Sequence, residues 1–269
     1  MSEPAASSGF AHLFDIAGKT ALVTGGSGGI GYMIAEGLVR AGARVTICSR
    51  KTADIEAAAE RLSSFGQCVA LTADLSTEEG VKAVTDVLNA AGPLHILVNN
   101  AGATWGAPID TFPRKGFEKV LSLNLTAPFA LTQALLPALR AAATREDPAR
   151  VINIASIDGL TLPPWESYPY TASKAGLLHM GRHMAKFLAP EHITVNAISP
   201  GFFPSKMTAA VIDFESSEAM GEAASPIGQR AGTTEDIAGA VIYLSSRAGA
   251  WLTGVTIPVA GGRSTLAIS

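Results

Sequence analysis

Thr20-Ala-Leu-Val-Thr24, Gly25-Gly-Ser-Gly-Gly-Ile-Gly31 and the spaced apolar positions Ile34, Leu38 and Val39 read in succession as strand, glycine turn and helix. Glycines at 25, 29 and 31 let the backbone turn tightly and approach a pyrophosphate closely, with Ser27 and Ile30 inside the same turn. The helix that follows presents unpaired N–H groups and the positive end of its dipole, both of which favour an anion. The competing explanation is a flexible Gly/Ser loop, and the flanking strand and helix speak against it.

Working outward, strand-like segments recur near 20–24, 44–48, 67–72, 95–98, 150–154, 193–198 and 255–259, with helical periodicity between them. This alternation predicts an α/β chain: a single-domain Rossmann fold over 15–269, its doubly wound seven-stranded parallel sheet covered by helices on both faces. A length of 269 residues suffices for one such domain, and 48% hydrophobic against 16% charged residues suits a sheet buried on both sides. The net charge of −3 and the lack of a basic tract give no electrostatic reason to expect nucleic acid or anionic lipid. No apolar run is long enough to span a membrane. Residues 1–14 read as a flexible tail without the features of a secretion signal, so a cytoplasmic location is expected. Cys48 and Cys68 lie at strand ends and are expected as core thiols. His179 and His183 share a helix face but have no third ligand nearby, so no metal is expected.

Tyr170-Thr-Ala-Ser-Lys174 sets a phenol and an ammonium four residues apart on one helix face. An ordinary tyrosine ionises near about 10, and a close cation favours the phenolate, drawing the pKa toward neutrality. The pair therefore predicts acid/base chemistry. Tyr168 is a rival, but it lacks a lysine at i+4, and Pro169 is expected to hold it in an extended, pre-helical conformation. Four further signals stand in order: Asn99-Asn-Ala-Gly102 after Ile96-Leu-Val98, Asn124 in an apolar helical segment, Ser156 after Arg150-Val-Ile-Asn-Ile154, and Pro200-Gly201 after Ile193-Thr-Val195. With these motifs the chain resembles the short-chain dehydrogenase/reductase family from about Ile16 to Gly262.

The resemblance implies roles. Tyr170 would donate the proton, Lys174 would lower its pKa and hold the nicotinamide ribose, Ser156 would bond the substrate oxygen, and Asn124 would anchor a water linking Lys174 to solvent. It also implies that Asn100, Ala101 and Gly102 line the cofactor path, that Asp74 and Leu75 flank the adenine, and that Pro200, Gly201, Phe203 and Ser205 border the nicotinamide. Structural alternatives stand beside three of these: Ser156 can cap a helix or close a turn, Asn124 can be exposed or satisfied in the core, and Asp74 can be an ordinary N-cap or turn residue ahead of the helix start at Ser76, Glu78 and Glu79. The spacing from Ser156 to Tyr170 is one residue longer than is common in relatives. Leu162-Pro-Pro-Trp-Glu166 fills it and is expected to reshape the loop without displacing Ser156.

About 20 residues beyond a glycine turn of this kind, an acid would accept hydrogen bonds from a ribose 2′-hydroxyl. Here that region is Cys48-Ser49-Arg50-Lys51, in which Ser49 can donate and Arg50 and Lys51 can neutralise a 2′-phosphate. NADP(H) is therefore expected; the alternative is that Arg50 and Lys51 are solvated residues at a strand end. Gly28 stands where NADP-preferring relatives often carry a basic residue, so one phosphate contact is missing.

A substrate lid is expected over about 202–225, with Phe202, Phe203, Met207, Val211, Ile212 and Phe214, and Trp105 and Trp165 lie beyond strand ends. These residues predict an apolar pocket for a bulky ketone or acyl chain, or else the packing of the lid and of a subunit interface. Segments 37–48, 99–106 and 200–207 are similar to the 3-oxoacyl (β-ketoacyl) reductase branch of the family associated with rhamnolipid synthesis, which implies a 3-oxoacyl thioester or a related ketone as substrate. An acyl carrier protein would need a basic docking surface, for which Arg182 and Lys186 are candidates. Oxidation of a secondary alcohol with NAD and non-catalytic NADP(H) sensing are the alternatives, and the joint presence of Ser156, Tyr170 and Lys174 favours an enzyme. The resemblance further implies a homotetramer or dimer, with the helices carrying Asn124 and Tyr170 at an interface.

Overall fold

In the computed structural model, which describes residues 9–205, 207–208 and 225–265, the seven apolar segments become seven strands. They are β1 (Thr20–Thr24), β2 (Arg44–Ser49), β3 (Cys68–Thr72), β4 (Ile96–Asn99), β5 (Ala149–Ile154), β6 (Ile193–Pro200) and β7 (Thr256–Val259). All pair in parallel, in the order β3-β2-β1-β4-β5-β6-β7. The chain order reverses between β1 and β4. In a doubly wound sheet that reversal opens a crevice beyond the strands' carboxyl ends, and there ligands bind.

Eight helices are described: α1 (Gly29–Arg40), α2 (Thr52–Ser63), α3 (Glu78–Ala91), α4 (Arg114–Leu121), α5 (Ala127–Ala134), α6 (Leu136–Ala142), α7 (Tyr168–Leu188) and α8 (Thr234–Ser245). The two-residue period of the strands divides their side chains between two cores. Val23, Ile47, Val98 and Ile152 pack with Ile34 and Leu38 of α1, Ile55 and Leu62 of α2, and Ile237 and Val241 of α8. Their neighbours Leu22, Cys48, Leu97 and Val151 point the other way, toward Val84 and Leu88 of α3, Leu131 of α5, Leu139 of α6 and Ala185 of α7. Cys48 and Cys68 are free and buried as expected, and burial pushes their thiols up to about 12 and about 11.

Three expectations change, and one lies outside the described residues. Phe10–Phe14, inside the span expected as a flexible tail, forms a 3-10 helix whose Phe14 ring lies 6.4 Å from that of Tyr243. Tyr168 is not extended: it is the first residue of α7, because first-turn amides need no helical acceptor and Pro169 at the second position costs no hydrogen bond. Asn124 does not lie in a continuous α-helix, since Ser122–Thr126 forms a π turn between α4 and α5. Of the expected lid, Val211, Ile212 and Phe214 fall outside the described residues. Among the described residues no single helix is long and apolar enough to cross a membrane.

Candidate active site

A groove runs along the carboxyl ends of β1, β2 and β4. One end is lined by Ser49, Arg50, Lys51 and Leu75, the middle by Gly25, Ser27, Ala101 and Gly102, and the other end by Gly29, Ile30, Gly31, Asn100, Tyr170, Lys174, Ser205 and Met207. The glycine turn is shaped by close approach. Gly25 has φ +70, and a Cβ on Gly31 would stand 2.2 Å from the Gly25 carbonyl oxygen and 2.4 Å from Asn100 Nδ2. Asn100 works from behind: its Nδ2 donates to the Thr24 carbonyl at 2.8 Å, while the Asn100 and Ala101 N–H groups both donate to Thr24 Oγ1 at 2.9 Å. α1 begins at Gly29, and its N-cap Gly28 has no side chain to bond the first amides, which leaves them open to an anion.

At the far end Ser49 Oγ is buried with no hydrogen-bond partner among the described residues, beside Arg50 and Lys51. A buried orphan hydroxyl next to two cations fits the phosphorylated ribose of a dinucleotide. Asp74 does not line this groove, although it was expected beside the adenine. Its carboxylate accepts from Ser76 N at 3.0 Å and Ser76 Oγ at 2.6 Å and lies 3.9 Å from Arg50, so it orients the cation from the side. Burial works against its charge, but the Ser76 bonds and Arg50 hold the carboxyl below its usual range. The bond from Ser76 N makes Asp74 a turn residue, the alternative weighed for it, while α3 is capped by Thr77, which accepts the Gly80 N–H at 3.0 Å.

β5 ends at Ile154, and the chain then turns to place Ser156 against α7. Ser156 Oγ accepts the Asp158 N–H at 3.1 Å and lines the same cleft as the Tyr170 side chain. Lys174 is 5% exposed, its Nζ donating to the Ile154 carbonyl at 2.8 Å and lying 5.6 Å from the Tyr170 ring centre. The expectation that Lys174 draws the Tyr170 pKa down is not met. Burial pushes the phenol up to about 12 against the pull of the neighbouring Ser156, with Asp158 adding to the rise, and burial pushes Lys174 down to about 8. The physical reason is that both groups are desolvated and the ammonium spends its bond on a carbonyl.

Asn124 stands behind this pair and does not touch Lys174 directly. Its Oδ1 accepts the Ala103 N–H at 2.8 Å, and its Nδ2 donates to the Ala103 carbonyl at 2.9 Å and to Ser173 Oγ at 3.0 Å. It therefore ties the 100–103 loop, and so the groove wall, to α7. Tyr168 hydrogen-bonds Glu166 at the surface, away from Ser156. The one-residue-longer loop is held by that same glutamate, whose carboxylate also accepts the Ile109 N–H at 2.9 Å.

A second cleft meets the groove at Tyr170. Ser156, Trp165, Pro200, Gly201, Phe202, Ser205 and Met207 line it, joined by Asp158 and Thr208, which the motifs did not mark. The Trp165 and Phe202 rings lie 6.4 Å apart, and the Arg263 guanidinium sits 4.4 Å over Phe202. Two of the expected site residues are held by packing elsewhere in the fold. Trp105 packs on Gly116 of α4 with Lys119 above its ring, because the loop after β4 folds back over that helix. Phe203 borders the cleft with its side chain 2% exposed and wedged against Gly232, so its ring supports the wall from the core.

Glycine turn, buried lysine, tyrosine and serine thus converge where a dinucleotide groove joins an apolar cleft. The family model described as Enoyl-(Acyl carrier protein) reductase matches residues 25–264. The chain belongs to the short-chain dehydrogenase/reductase family, a family of oxidoreductases. It is 47% identical over 250 residues to the rhamnolipids biosynthesis 3-oxoacyl-[acyl-carrier-protein] reductase of Pseudomonas aeruginosa, spanning 93% of this chain and 97% of that one. The solved Pseudomonas aeruginosa RhlG/NADP active-site complex superposes with a TM-score of 0.89 at 46% identity, covering 94% of this chain and 99% of that one. L-sorbose reductase from Gluconobacter frateurii, solved with NADPH and L-sorbose, has a TM-score of 0.82 at 28% identity, covering 93% and 97%.

Proposed function

We propose that this protein is an NADP(H)-dependent carbonyl reductase whose substrate is an apolar ketone of the 3-oxoacyl thioester class. The observation that carries the reading is the placement of Ser156, Tyr170 and Lys174 at the junction of the dinucleotide groove and the cleft walled by Trp165, Phe202 and Met207. Ser49, Arg50 and Lys51 would hold a 2′-phosphate, the amides at the start of α1 the pyrophosphate, and Lys174 the nicotinamide ribose. The bound reduced nicotinamide supplies the hydride. Ser156 Oγ steadies the carbonyl oxygen as negative charge gathers there, and the protonated Tyr170 hydroxyl gives it a proton, so the ketone leaves as a secondary alcohol. Lys174 keeps a positive charge beside that transfer. The apolar walls favour an acyl chain over a sugar, and the likeness to the rhamnolipid 3-oxoacyl reductase points the same way.

The reading is tested by following reduced-cofactor oxidation with NADPH and NADH on a 3-oxoacyl thioester, a β-keto ester, an aryl ketone and a sugar ketone. We expect turnover on the thioester with NADPH preferred, and reversal or loss of that preference in Arg50→Asp. Preference for L-sorbose would reassign the substrate, and tight NADPH binding with no turnover on any ketone would favour a cofactor sensor. A cytoplasmic homotetramer or dimer joined through the α5 and α7 faces is the assembly we propose, its mass to be read by light scattering. Phe129 and Phe187, 45% and 61% exposed on these helices, support it.

A further inference from the structure

Trp165 belongs to the wall of the substrate cleft, and the stretch of chain that carries it is held at its two ends. On one side Thr161 is tied to the Ile157 carbonyl, by its N–H at 2.8 Å and by its Oγ1 at 3.1 Å. Pro163 and Pro164 then have no N–H to give, and those of Leu162 and Trp165 find no partner among the described residues. On the other side Glu166 makes three bonds. Its carbonyl accepts the Ala107 N–H at 3.2 Å, and its Oε2 accepts the Ile109 N–H at 2.9 Å and the Tyr168 hydroxyl. The Tyr168 ring stands edge-on to Phe112, with 5.8 Å between ring centres. Glu166 thus fastens the loop ahead of α7 to the loop after β4, one residue from the indole, whose ring lies 6.4 Å from that of Phe202.

Resting on the carbonyl-reductase reading above, we propose that Glu166 is a positioning residue: by holding Trp165 beside Phe202 it keeps the cleft narrow and selects ketones with a slim, unbranched arm over those branched beside the carbonyl. Two prolines with fixed φ leave residues 162–165 few ways to turn, so the anchors at the two ends set the aim of the indole. The Thr161 anchor is local, made within its own turn, whereas the Glu166 carboxylate reaches a different loop. Without that carboxylate the Ile109 N–H and the Tyr168 hydroxyl lose their acceptor, and only the backbone bond to Ala107 ties the two loops. The indole then shifts more freely, and a branched group finds room that the held ring denies it. A slim arm needs no such room and loses little.

The test compares kcat/KM with NADPH for ethyl acetoacetate and for its counterpart with a tert-butyl group on the ketone. The proteins are the wild type, Glu166→Ala, Glu166→Gln, Trp165→Ala and the Glu166→Ala, Trp165→Ala double variant. Calorimetric titration of each NADPH complex with the two matching hydroxy esters runs beside it. The slim-to-bulky ratio should fall about threefold or more in Glu166→Ala and about tenfold or more in Trp165→Ala. Glu166→Gln, whose amide oxygen can still accept the Ile109 N–H, should keep the wild-type ratio. In the Trp165→Ala background Glu166→Ala should change the ratio no further, because no indole is left to position. A merely structural loss would slow both ketones alike and would persist without Trp165. An unmoved ratio in Glu166→Ala, a Glu166→Gln ratio as low as that of Glu166→Ala, or the same effect of Glu166→Ala with and without Trp165 would each overturn the assignment. If the wild type reduces neither ketone, the same pattern read in hydroxy-ester binding would keep the role of Glu166 and sink the reductase reading. Binding without that pattern, or no binding, would sink both.

Discussion

Tyr170 is held by burial in its neutral form, and that suits a group asked to give a proton to a developing alkoxide. Lys174, lowered to about 8, carries its charge at neutral pH and loses it above, so the reductive rate should fall as pH rises through about 8. Tyr170→Phe removes the donor and should lower kcat by about a hundredfold or more, with an NADPH fluorescence titration separating loss of chemistry from loss of the site. Tyr168→Phe should keep turnover, since that hydroxyl faces Glu166; the reverse pattern would move the acid role to Tyr168. Tyr170 and Lys174 were legible because an i, i+4 pair depends only on helix geometry. Asp158 was not, because Ile157-Asp158-Gly159 reads like any turn until folding sets it in the wall of the second cleft.

The glycine turn shows how an element can be set by one close contact. Gly31→Ala places a methyl group against the Gly25 carbonyl and the Asn100 amide, neither of which can yield without opening the turn. NADPH affinity should fall about tenfold or more, with a lowered melting temperature, measured by fluorescence titration and thermal unfolding. Unchanged affinity would mean that the turn does not approach the cofactor in the way its packing implies. The π turn at Ser122–Thr126 lies at the opposite extreme of legibility. Its sequence is helical in pattern, and the extra residue is stabilised by Asn124 reaching Ala103 and Ser173, partners supplied by other parts of the chain.

Across the whole molecule, the end of the sheet away from the site is secured by charge. Arg150 is fully buried in β5, with Nε donating to the Leu244 carbonyl at 3.2 Å and Nη2 to the Ser246 carbonyl and Asp147, each at 2.9 Å. Lys19 Nζ meets the same carboxylate at 2.6 Å, which joins β1, β5 and the end of α8. Asp147→Ala strands both cations and should cost about 2–3 kcal/mol in urea unfolding, below the range for a fully buried pair because Asp147 is partly open to solvent. Burial opposes ionisation of Asp147, but Lys19 and Arg150 hold its pKa below the ordinary value. Its contribution is therefore present above about pH 4 and is lost as pH falls through the lower folded value, so the gap between wild type and variant should close in acid. By itself the sequence determined the seven strands, the glycine turn and the Tyr170 and Lys174 pair, since these rest on local periodicity and short spacings, while Ser156 was marked by the resemblance to the family. Tertiary structure alone decided that Trp165 and not Trp105 meets the cleft, that Asp74 lies beside Arg50, and that Asp158 lines the cleft. Those outcomes depend on distances between residues far apart in the chain, which only the packing of helices and loops on the sheet sets.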